Sequence, residues 1–118
     1  MCRAAVPVEL DLSADTNDQW RAILAEALDR AKTFRIHCWK EETAELALAL
    51  PWGHILDSGW AWGTIVTGPV TPAFRDFILS RPKPTDTELY NKMTPFFSIF
   101  LDDRFCSEHY GTELYRCE

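Results

Sequence analysis

Hydrophobic and polar positions repeat with two different periods along this chain. Val6, Val8, Leu10 and Leu12 alternate with less apolar positions over residues 6–12. That period of two predicts a half-buried strand, and Pro7 assigns it to a sheet edge. Over residues 17–32 the period becomes helical. Trp20, Ile23, Leu24, Ala27, Leu28 and Ala31 form one apolar stripe. Asp15 and Asp18 near its start and Arg30 and Lys32 near its end suit the helix dipole. Residues 33–39 return to alternation, with Phe34, Ile36 and Cys38 on one side and Arg35, His37 and Trp39 on the other.

Further along, residues 41–50 place three Glu in the opening turn and a half, followed by Ala and Leu, which predicts a second helix ended by Pro51. Residues 59–67 predict a strand with Trp60, Trp62, Thr64 and Val66 on one side. Thr71-Pro72 opens a third helix reaching about residue 80, with Phe74, Phe77 and Ile78 turned inward. Arg81 to Thr85, with two prolines, is an extended connection, and residues 86–93 have room for one helical turn. Residues 95–101 are the most apolar segment and read as the central strand, with both faces covered or paired. Residues 106–112 read as a polar turn and 113–117 as a last strand.

The order β-α-β-α-β-α-β-β normally suggests a parallel α/β sheet. Two of the strands alternate as half-exposed antiparallel strands do, however, and no glycine-rich phosphate turn follows any strand. The pattern therefore predicts an α+β fold, a two-layer sandwich. Its sheet has four or five mostly antiparallel or mixed strands, with two or three helices on one face.

The chain has 118 residues, a single domain spanning 1–118, long enough to bury about two-thirds of its surface. Net charge is −6, and half of it lies in residues 102–118, where Asp102, Asp103, Glu108, Glu113 and Glu118 face only Arg104 and Arg116. There is no basic stripe to displace counterions from nucleic-acid phosphates or to dock on an anionic membrane. No apolar run is long enough to span a bilayer and the N-terminus does not read as a signal peptide, so a cytoplasmic protein is expected. There Cys2, Cys38, Cys106 and Cys117 stay as thiols rather than bridges.

Candidate chemistry is sparse. The phosphate-loop, dinucleotide, nucleophile-elbow and zinc-protease motifs are all missing, and no cofactor is expected. Cys106-Ser-Glu-His109 pairs two metal-ligand types, but His37 and Cys38 point to opposite faces of a strand, so four ligands do not converge. Cys106 has acidic neighbours, which raise a thiol's pKa rather than lower it. The paired Trp60 and Trp62, flanked by Gly59 and Gly63, are the strongest candidate contact surface.

These features predict a small acidic binding protein that docks on a basic protein partner, an inhibitor of the immunity or antitoxin type. Asp102, Asp103, Glu108 and Glu113 would supply charge, with Trp60, Trp62 and Tyr110 as anchors. The alternative is a small enzyme or ligand-binding domain. It would have a Trp-lined pocket and use His37, His109 and Glu108 with the 106–113 turn. A homo-oligomer joined through the Trp face is a third reading.

Overall fold

In a computed structural model the chain is described over residues 5–11, 13–85 and 91–117. Its elements are β1 (Ala5–Pro7), α1 (Thr16–Arg30), β2 (Thr33–Trp39), α2 (Thr43–Ala49), β3 (His54–Leu56), β4 (Gly63–Pro69), α3 (Pro72–Ser80), β5 (Ser98–Leu101), β6 (Phe105–Glu108) and β7 (Glu113–Cys117). The strands form one sheet in the order β1-β7-β6-β5-β2-β4-β3, and every neighbouring pair is antiparallel. The α+β class and the helix-on-sheet arrangement are as the pattern predicts. The apolar segment supplies β5 at the sheet's midpoint, and Pro7 lies in an edge strand.

The strand number is a correction: seven among the described residues, not four or five. β3 and β6 are the two additions, and the start of β4 also shifts. β3 is three exposed residues, too short and too solvated for alternation to reveal. β4 begins at Gly63, so the Trp60 to Trp62 segment is a turn leading into the strand rather than part of it. Finally, the stretch read as one polar turn after the central strand contains β6. Asp102 and Asp103 adopt φ of 52° and 55°, and His109, Tyr110 and Gly111 adopt 51°, 61° and 86°. Left-handed residues in succession reverse the chain tightly enough to leave four residues for a strand between the two turns. Asp takes this conformation at low cost, His and Tyr less readily.

The buried hydrophobic cluster lies on one face of the sheet, with Ile65 buried on the other. Phe34, Ile36, Val66, Ile99, Leu101, Phe105 and Leu114 pack with Trp20, Leu24 and Leu28 of α1 and with Phe74 and Ile78 of α3. The Phe34 and Phe74 rings stack at 4.0 Å. Trp20 donates its indole N–H to Ser107 Oγ at 3.1 Å, which satisfies two polar groups in the core. Asp15 caps α1, accepting from the N–H groups of Asn17 and Asp18, and Thr71 caps α3, accepting from Phe74 N–H. Trp52 packs against Phe74 and Phe77, so it belongs to this layer. No helix among the described residues is long and apolar enough to cross a membrane.

Asp102 ties the β5–β6 turn to the start of β2. Its carboxylate accepts from the N–H groups of Lys32 and Thr33, both at 2.8 Å, and from the Thr33 hydroxyl at 2.9 Å. Desolvation opposes ionisation, but these hydrogen bonds and Arg104 outweigh it and hold the carboxyl below its ordinary 3.8. A depressed carboxyl stabilises the fold fully above its unfolded pKa and loses that contribution as pH falls below it. Asp102→Ala is expected to cost about 1–2 kcal/mol in urea unfolding at pH 7. The cost should shrink as pH falls below the carboxyl's ordinary 3.8, down to the pH-independent strain of Ala at φ 52°, and an unchanged midpoint at pH 7 would show the latch to be idle.

Candidate functional site

With the helices on one side, the other face of the sheet has no layer over it among the described residues. β2 alternation turns Arg35, His37 and Trp39 to this open face, and the register sets Phe100, Cys106 and Tyr115 beside them. Apart from Ile65 and Ser98, its described side chains are half-buried or exposed.

A row of rings crosses this face and passes around the end of the sheet. His37 lies 4.8 Å from Phe100 and 5.7 Å from Trp60 between ring centres. Trp60 is 5.2 Å from Trp39, and Trp39 is 4.9 Å from Phe97. Phe97 in turn meets His109 and Tyr110 edge-on at 5.5 and 5.2 Å. Gly63 makes the centre of the row possible. A Cβ there would sit 2.5 Å from the Trp60 ring and 2.3 Å from the Cys38 carbonyl oxygen. The missing side chain lets the indole fold back over the sheet. The close approach that Gly63 permits is therefore taken by the chain's own Trp60.

Charge surrounds the row unevenly. At one end the Arg35 guanidinium lies 5.2 Å from the Phe100 ring centre and bonds Asp103 at 2.7 Å. At the other end Glu108 and Glu113 stand directly opposite each other on β6 and β7. Like charges facing across a ladder cost stability. Glu113 also contacts His109 Nδ1. Between Arg35 and the glutamates, burial pushes the Cys106 thiol up to about 11, with Glu108 and Glu113 adding to the rise against a hydrogen bond from the Tyr115 backbone. Burial, then Glu113 and Glu108, also raise the Tyr115 hydroxyl. Cys38 lies in the core and is pushed up to about 12, by burial first and then by Glu42 and Glu45. Both thiols are protonated at neutral pH, which does not suit a nucleophile. Among the described residues no three His, Cys, Asp or Glu side chains converge to hold a metal ion.

The predicted site residues separate into those the open face presents and those the fold uses internally. Asp102 is spent on the β2 backbone and Asp103 on Arg35. Tyr110 is only 8% exposed, and its hydroxyl donates to Glu42 Oε2 at 2.9 Å, so it is not a free anchor. Trp60 and Trp62 do not share a strand face, because β4 starts after them. Trp60 packs into the ring row, whereas Trp62 is 64% exposed with Lys40 Nζ 5.6 Å from its ring centre. His37 and His109 both belong to the row, but the rings of Trp60, Trp39 and Phe97 intervene. Neither lines the two clefts of ≈ 300 and ≈ 100 Å³. Trp39, Phe97 and Phe100 were not anticipated. The outward positions in the alternation of 33–39 and 95–101 carry the signal for Trp39 and Phe100.

His37 Nε2 is buried without a hydrogen-bond partner. Burial, helped by Arg35, lowers the imidazole from 6.5 to about 4. The neutral ring therefore packs as an aromatic at pH 7. A depressed histidine stabilises fully above pH 6.5 and progressively less as pH falls from there to 4. His37→Phe should reduce the loss of stability across that window in thermal unfolding, and an identical pH slope in both proteins would contradict the burial.

No known protein family matches the chain, and no curated protein or solved structure matches it.

Proposed function

We propose that this protein is a binding module whose open sheet face docks a basic protein partner, an inhibitor of the immunity or antitoxin type. The observation that supports it best is the opposed pair Glu108 and Glu113 beside a continuous row of aromatic rings, on the face that no helix covers. Two carboxylates held opposite each other raise the energy of the free protein. A lysine or arginine from a partner placed between them removes the repulsion and gains charge-assisted hydrogen bonds. The neighbouring rings offer rigid apolar area, which is what interface hot spots use. Trp62 extends this area at the rim, and Asp103 and Arg35 close its far end.

The docking needs no chemistry from the chain. It fits thiols held protonated and a His37 held neutral, and the acid at one end of the row would steer a basic partner into register. Occlusion of the partner's own anion-binding surface is the mechanism such an arrangement favours.

The test is capture from a lysate of the source cells by three forms of the protein. Wild type and Asp76→Lys, a control on the exposed side of α3, should retain the same basic protein. Glu108→Lys combined with Glu113→Lys should weaken that binding by about ten-fold or more and flatten its salt dependence. Equal retention by all three forms, or an acidic captured protein, would overturn the proposal.

A further inference from the structure

The larger cleft lies on the helix-bearing side, away from the docking face, and its composition is different. It encloses ≈ 300 Å³ between α1 and the β5, β6 and β7 strands. Its apolar wall is Ile23 and Ala27 of α1 with Leu101 and Phe105 of the sheet, which are 1% and 5% exposed. Arg30, Arg104 and Arg116 line it as well, against Glu26 and Asp102, which leaves the lining net positive on a chain of net charge −6.

Arg116 breaks the pattern of its strand. Its register opposite Phe105 and Val6 sets it on the helix-bearing face, in the row where Leu114 is buried. An apolar side chain at this position would extend the core. Instead a guanidinium stands beside apolar surface, and among the described residues it has no ion pair or side-chain hydrogen bond. The acids nearby are engaged elsewhere. Glu26 bonds Arg30 at 3.4 Å, and Asp102 is held by the Lys32 and Thr33 backbone. A break in local pattern with no compensating contact marks a candidate site.

We propose that this cleft binds a small amphipathic carboxylate, its head held by Arg104 and Arg116 and its apolar body laid on Ile23 and Ala27 against the edge of Phe105. Guanidinium forks match a planar carboxylate. At about 30 Å³ per water-sized group the cleft accommodates about ten such groups, the size of octanoate. Glu26 and Asp102 on the same walls favour a single negative charge over a phosphate dianion.

The test is titration of the ¹⁵N-labelled protein with octanoate, and in parallel with 1-octanol and with inorganic phosphate. Octanoate should give saturable shifts at the Ile23, Ala27 and Phe105 amides, with both controls weaker by about ten-fold or more. Arg104→Gln combined with Arg116→Gln should weaken octanoate by about ten-fold. Ala27→Leu, which fills the apolar wall and leaves every charge in place, should weaken it by about five-fold. Phosphate binding as tightly as octanoate would mean an adventitious ion only. Octanol binding as tightly would mean apolar adsorption. Either result, or octanoate affinity unchanged in the arginine pair, overturns the proposal. The two controls on the unmodified protein decide the matter even where a variant fails to fold.

Discussion

Everything distinctive about this molecule follows from packing its helices against one side of the sheet only. A seven-stranded antiparallel sheet has two faces, and the chain's large apolar side chains fill just one of them. The alternation of each strand then delivers a second set of side chains to the opposite face. In β2 that set is Arg35, His37 and Trp39, opposite Phe34, Ile36 and Cys38 in the core. A wholly polar second set would be a solvated back. Here it is aromatic, and the rings contact one another in a continuous row, with Trp60 folded over Gly63 to bridge two of its parts. The chain covers some of this surface with its own turn and leaves the rest half-exposed.

The same constraint organises the charge. Acid concentrated in the last part of the chain has three fates in the fold. Asp102 is consumed as a backbone acceptor that pins the β5–β6 turn to β2. Asp103 neutralises Arg35 beside Phe100. Glu108 and Glu113 are left opposed across the β6–β7 ladder on the open face, with His109 against Glu113. In the docking proposed for this face, a partner's cation placed between the two would lower the energy of the pair. Arg116 in the cleft on the other side is the converse case, positive charge beside apolar surface with no ion pair among the described residues.

Much of this was legible from residue order, wherever a segment was long enough for its period to be read. The stripe from Trp20 to Ala31 and the two sides of the alternation from Phe34 to Trp39 are as the sequence pattern predicts. What escaped was governed by backbone conformation rather than pattern. Two pairs of non-glycine residues in the left-handed region, Asp102 with Asp103 and His109 with Tyr110, cut β6 out of what reads as one polar turn. β3 is too short for any period. Trp60 and Trp62 read as strand neighbours because Gly59 to Thr67 is uniformly strand-compatible, and only the hairpin geometry starts β4 at Gly63. The ring row itself is assembled from β2, β5 and two turns, so no local window contains it. The Glu108–Glu113 opposition likewise depends on a register that sequence does not state.

The most direct test of the central claim is hydroxyl-radical footprinting of the protein alone and in complex with the basic protein that the proposed docking requires. The account predicts that complex formation protects Trp39, Phe100 and Tyr115 on the open face and leaves the exposed side of α1 and α3 unchanged. Protection confined to the helices, with the three open-face rings as reactive in the complex as in the free protein, would contradict it.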